Sequence, residues 1–183
     1  MQFEKGRFYH LYNRTNNNEL LFPLRENYRY FLQKFKIHLH PHCAVFAYSL
    51  MPTHFHFLAP IETDNSLLIS KQIAVLLRSY TRAINKQSVR HGNLFHQNTK
   101  SKRIEDESYL LTLMNYIHQN PIRAGLTKRL ADWEYSSYRD FAGMRDGTLP
   151  ERALISGYFR SSEEFIRYSE EIVESVRKEY RVY

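Results

Sequence analysis

The run from Cys43 to Leu58, "CAVFAYSLMPTHFHFL", carries no charged side chain. It is rich in Val, Phe, Tyr and Leu, and Pro52 interrupts it. This pattern predicts two strands joined by a tight turn at Met51 to Thr53. In a strand, side chains at i and i+2 point to the same face. His54 and His56 therefore share one face, and Phe55 and Phe57 the other. Two imidazoles side by side on a sheet can hold one cation. They can equally be two half-buried histidines with ordinary partners.

The flanking sequence supplies a sheet and its helices. "GRFYHLYNRT" alternates, with Phe8, His10, Tyr12 and Arg14 on one face and Tyr9, Leu11 and Asn13 on the other. It reads as a strand that ends in the Asn16–Asn18 turn. Tyr28, Phe31, Leu32, Phe35 and Leu39 recur at helical steps, and Pro41 closes that helix. A second helix is predicted from Ser66 to Lys86, with an apolar stripe through Leu67, Ile73, Leu76, Leu77, Tyr80 and Ile84. Its basic face carries Arg78, Arg82 and Lys86. "LFHQNTKSKRI" reads as extended and strongly basic. "EDESYLLTLMNYIHQNP" reads as a third helix. Glu105, Asp106 and Glu107 fall at its positive end, and Pro121 is expected to stop it at or before Asn120.

This order predicts an α+β, ferredoxin-like antiparallel sheet with helices packed mainly on one face, followed by a C-terminal helical extension. Residues 1–142 would form the catalytic part and residues 143–183 the extension. "DWEYSSYRDF" reads as a loop with aromatic anchors. A terminal helix is expected from Ser161 to about Tyr180, with Ser161 and Glu164 in capping-box spacing.

Bulk composition narrows the function classes. The 183 residues are 43% hydrophobic, enough for a globular core. The single cysteine, Cys43, excludes an intrachain disulfide and suits a reducing cytoplasm. No N-terminal apolar segment resembles a signal peptide, and the prolines and histidines in the apolar run argue against a membrane span. Lys and Arg number 26 against 19 acids, a formal charge of +7, which favours a polyanionic partner. Aromatics make up 15% of the chain, and rings interleaved with Arg and Lys suit stacking on unpaired bases, although most belong to the core.

The third helix carries the remaining chemistry. Leu110, Met114 and Ile117 form an apolar stripe that would face the sheet. Tyr116 and Asn120 lie one turn apart at its edge. A tyrosine hydroxyl is a nucleophile when a nearby cation or base activates it. Asn120 offers a carbonyl oxygen, a hard ligand for a divalent cation. If this helix lies beside the histidine strand, His54, His56 and Asn120 make three ligands next to the hydroxyl of Tyr116. A cation there would polarise a phosphoryl group.

"MPTHFHFLAP", followed about sixty residues on by "YLLTLMNYIHQNPIRAGL", resembles the REP-associated tyrosine transposases. These are relatives of single-strand transposases in the HUH endonuclease superfamily. The resemblance runs from about Phe8 to Phe141 and includes "YHLYNRTNNNELLF", "LFHQNTKSKRI" and "WEYSSYRDF". It implies that His54 and His56 are the histidines of the HUH motif, that Tyr116 is the catalytic tyrosine, and that Asn120 is a third ligand to Mg2+ or Mn2+. The implied reaction cleaves single-stranded or hairpin DNA, joins Tyr116 to the 5′-phosphate side and releases a 3′-hydroxyl. Reversal on another strand rejoins DNA. Arg14, Arg78, Arg82, Lys100, Lys102 and Arg103 are expected to line the DNA path, in a cytoplasmic monomer or homodimer. Two other readings use the same residues: a hairpin-binding regulator that has lost the chemistry, and a histidine metallohydrolase in which water attacks.

Overall fold

The computed structural model describes residues 2–106 and 108–173. Strands β1 (Phe8–Arg14), β2 (Ala47–Met51), β3 (His54–Pro60) and β4 (Lys100–Arg103) form one antiparallel sheet in the order β2-β3-β1-β4. Three helices cover it: α1 (Arg25–His38), α2 (Ser66–Gln87) and α3 (Ser108–Arg123). Short helices α4 (Tyr138–Phe141), α5 (Arg152–Ser156) and α6 (Ser162–Glu170) follow. The fold is α+β, and the β2–β3 hairpin turns at Pro52 and Thr53 as its sequence predicts.

Alternation sends the two faces of the sheet to different helices. Tyr9, Leu11, Tyr48, Leu50, Phe55 and Phe57 face α1 and α2, where Phe31 and Phe35 meet them. Phe35 stacks on Phe57 with ring centroids 3.9 Å apart. Burying rings of this size stabilises the face by about 2–3 kcal/mol each. The stripe of α2 is Ile69, Ile73, Leu76, Tyr80 and Ile84, all buried, and Asn65 caps the helix by accepting from the Leu68 N–H. Two of the three long helices thus share one face. The third, α3, lies on the other, where Leu110, Leu113, Met114 and Ile117 pack against Phe46, Ala47 and Leu58. The histidines are therefore covered by α3 rather than left to solvent.

The ends of α3 differ from expectation. Asp106 precedes the helix and accepts from the Ser108 N–H at 2.9 Å, so this acid caps the helix rather than forming part of its first turn. Glu107 lies outside the described residues. Pro121 does not stop the helix but sits inside it. Proline removes only its own amide, so one turn loses one bond and the next resumes with the Ala124 N–H on the Asn120 carbonyl at 2.9 Å. Gly125 is the true terminator. Its φ of 69° allows the left-handed turn in which the Gly125 N–H donates to Ile122 O and the Leu126 N–H to Pro121 O.

Beyond Gly143 the chain returns to α3. Phe165 of α6 is fully buried in the cluster that holds Leu113 and Ile117. Asn115 Nδ2 donates to the Tyr168 and Glu171 carbonyls, and Gln119 Nε2 to the Ser169 and Glu171 carbonyls. Ser161 caps α6 by accepting from the Glu164 N–H at 3.3 Å, as its capping-box spacing predicts. The rest of the predicted terminal helix, beyond residue 173, lies outside the described residues.

Candidate active site

His54 and His56 lie on the α3 side of β3, both buried. Their ring centroids are 5.1 Å apart and their planes nearly perpendicular. The register of β1 on β3 sets Tyr12 opposite His56 and Arg14 opposite His54. It also brings His10 within reach: His10 Nε2 lies 2.8 Å from His56 Nδ1. His54 Nδ1 lies 3.1 Å from the Thr53 hydroxyl. With Nδ1 engaged, His56 keeps a buried Nε2 that has no hydrogen-bond partner.

These imidazoles are neutral. Burial, with the Arg14 guanidinium adding to it, lowers the pKa of His54 to about 4. Burial, followed by the neighbouring His10 and His54, pushes His56 well below its ordinary value. Burial alone brings His10 to about 3. A neutral imidazole presents a lone pair, the form that ligates a metal without first releasing a proton.

Helix α3 delivers the other two residues. Leu110 lines a small cavity with Phe8, at the end of β1 that pairs with Pro60. Tyr116 reaches His56, ring centroids 6.4 Å apart and edge-on. The helix therefore runs antiparallel to β3, and its next turn carries Asn120 toward the His54 end. Asn120 is buried, and its Nδ2 has no hydrogen-bond partner. Among the described residues no three His, Cys, Asp or Glu side chains converge as a metal site. The amide of Asn120 is then the candidate third donor. Two neutral imidazoles and an amide oxygen fit a divalent cation, although they are softer than the all-oxygen sets that magnesium favours.

Two contributors were not legible as such. His10 was read only as one residue on a strand face, and its contact with His56 depends on a pairing across 46 residues. The Arg123 guanidinium lies 5.4 Å above the ring of Tyr116. Its spacing, seven residues or two turns after Tyr116, was the available signal. Tyr135 stacks on Tyr28 at 3.7 Å and Tyr138 packs against Phe165, so both anchor the loop after α3.

The basic residues divide. Arg14 and Lys100 line a cavity of about 260 Å3 with Tyr12 and the segment His96–Asn98, on the histidine face. Lys102 is opposite His10 in the register. Arg78 and Arg82 line a groove of about 550 Å3 between α2 and the segment 93–99. The two hollows share Asn13 and residues 96–98 in their walls. Arg103 lines neither. It pairs with Tyr9 in the register and so belongs to the opposite face, where its guanidinium contacts Glu4 at 2.6 Å and Glu105 at 3.3 Å.

No family model matches the chain. A protein of Haemophilus influenzae that carries the provisional name REP-associated tyrosine transposase is 28% identical over 102 residues. That match covers 50% of this chain and 57% of the relative, so the chain spans a little over half of its length. A solved structure described as the REP-associated tyrosine transposase bound to a REP hairpin superposes with a TM-score of 0.62. It is 18% identical and covers 83% of this chain and 94% of its own. The chain resembles the REP-associated tyrosine transposases in sequence and in fold. The transposase-like fold carries the histidine pair and Tyr116 on facing elements. Among the described residues, no helix is long and apolar enough to cross a membrane.

Proposed function

We propose that this chain is a metal-dependent, transposase-type enzyme that cleaves and rejoins single-stranded DNA at a hairpin. The observation that carries the reading is the approach of Tyr116 to His56, ring to ring at 6.4 Å, on the helix that also presents Asn120. The structural neighbour described as bound to a REP hairpin supports a hairpin as the DNA partner.

In this reading Tyr116 Oη attacks the scissile phosphorus. The P–O3′ bond breaks, the phenol proton is lost to solvent or a base, and the departing 3′-oxygen takes up a proton. The 5′-phosphate remains on Tyr116. The ester keeps the linkage energy, so a 3′-hydroxyl on another strand reverses the step without a nucleotide cofactor. His54, His56 and Asn120 would hold Mg2+ or Mn2+, which supplies charge stabilisation for the phosphoryl oxygens and lowers the cost of ionising the phenol. Free tyrosine ionises near pH 10, so that assistance matters at neutral pH. The Arg123 guanidinium above the ring adds a second positive charge as the phenolate develops. Arg14 and Lys100 hold the adjoining phosphates, and Arg78 and Arg82 continue the path.

Labelled hairpin DNA incubated with the protein and Mn2+ is expected to give a covalent adduct on a denaturing gel. Tyr116→Phe removes only the hydroxyl and should bind the hairpin normally while forming no adduct. An adduct in that variant, or DNA mapped to another tyrosine, overturns the assignment.

A further inference from the structure

His10 is fully buried on β1, one strand away from the candidate ligands. Its Nε2 meets His56 Nδ1 at 2.8 Å, and the two rings lie within 10° of parallel. A hydrogen bond between two neutral imidazoles needs one donor and one acceptor. Two arrangements exist. In one, His10 donates from Nε2, and the proton of His56 then sits on Nε2, which is buried and has no partner. In the other, His56 donates from Nδ1, and its Nε2 carries a lone pair. Either arrangement leaves one buried ring N–H beside the shared bond, on His56 Nε2 in the first and on His10 Nδ1 in the second, so burial does not choose between them. Only the second leaves a lone pair on His56 Nε2 to offer a cation.

We propose that His10 is a positioning residue: by accepting from His56 Nδ1 it fixes His56 in the tautomer whose Nε2 binds the divalent cation. His10 is not itself a ligand in this arrangement, because its Nε2 lone pair is directed at the His56 N–H. Most metal-ligating histidines are oriented by a carboxylate, a backbone carbonyl or water. Here an uncharged ring does that work. It fixes direction without adding negative charge to the site, which suits a centre that must also receive a phosphodiester. Tyr12 holds His10 in turn, its ring 4.7 Å away on the same strand face. This inference rests on the metal reading of the previous subsection.

The test is Mn2+ affinity, measured without DNA by the EPR signal of the free ion, in the full chain. Gln at position 10 carries its amide oxygen about where the imidazole Nε2 was, whereas Asn is one carbon short and Phe has no acceptor. His10→Gln is expected to bind within about threefold of the parent chain. His10→Asn and His10→Phe are expected to bind about 10- to 100-fold more weakly, the loss typical of removing an orienting partner. Thermal melts check that each variant is folded, and the Gln and Asn pair decides the matter if Phe is not accommodated. Parental affinity in a folded His10→Asn or His10→Phe overturns the inference and leaves the metal site standing. So does a His10→Gln as weak as His10→Asn. If the parent chain itself binds no Mn2+, both the metal reading and this inference fall.

Discussion

Two buried polar clusters flank strand β2, and they are built on opposite principles. At one, the Arg145 guanidinium donates to both Asp140 oxygens, to the Glu134 and Ser136 carbonyls and to the Tyr48 hydroxyl. Asp140 also accepts from the Gly147 N–H at 2.9 Å. That group ties the loop after α3 to β2 and leaves Arg145 with a partner on every side of its fork. At the other, His56 and Asn120 each keep a buried polar atom with no partner. A chain selected only for stability removes such atoms or satisfies them, since each costs on the order of 1–3 kcal/mol. The satisfied cluster reads as construction, and the incomplete one as a place where something else binds.

Substitution should separate the two. Arg145→Ala leaves Asp140 buried with its charge unpaired, and should cost about 3–5 kcal/mol. In a chain of this size that lowers the melting temperature by on the order of 10 °C. Asn120→Leu removes an unpartnered amide at similar volume. It should change stability by less than about 1 kcal/mol, or raise it, while weakening Mn2+ binding and adduct formation. Comparable losses in melting temperature for the two variants would break the contrast.

Acid sharpens it. His10 is held near pKa 3 by burial and His54 near 4 by burial and Arg14, while His56 is also lowered. Each is protonated in the unfolded chain below about pH 6.5 but stays neutral in the folded one. The unfolded state then binds more protons, so stability is fully present above about pH 6.5 and is lost as pH falls toward 4. The slope is at most about 1.4 kcal/mol per pH unit for each histidine. Denaturant titrations at pH 7, 6 and 5 check this. A flat profile would mean that the histidine face is open to water.

The smallest effect concerns the surface around each cluster. Replacing both Lys100 and Lys102 by Ala should reduce the log–log salt slope of single-strand binding by up to roughly 1.4, at ~0.7 per phosphate. Arg152, on the side of the clamp and paired with Asp146 at 2.8 Å, should leave the slope unchanged when replaced. Equal changes would place the DNA elsewhere.

What the sequence disclosed follows the same division between local and distant. The alternating faces of β1 and β3, the sharing of one face by His54 and His56, and the inward stripe of α3 are local periodicities, and each is found as read. Three features were hidden because they depend on pairing across the chain. The contact of His10 with His56 needs the β1–β3 register. The side of the sheet taken by α3 needs the path from β4, because β2 and β3 are buried on both faces. The sharing of residues 96–98 by two hollows needs a loop with no period at all. Pro121 misled for a different reason: the rule that it ends helices weighs its missing amide, but the Gly125 terminator one turn later decides where α3 stops.

On α3, neighbouring residues serve different masters. Asn115 and Gln119 grip the segment 168–173, while Tyr116 turns to His56. A gene encoding this helix tolerates error unevenly. A changed codon disturbs one side chain. One codon gained or lost between Met114 and Asn120 rotates everything downstream by about 100°, so that both grips fail together. The same slip in the turn at Gly92 lengthens or shortens a loop and leaves both intact.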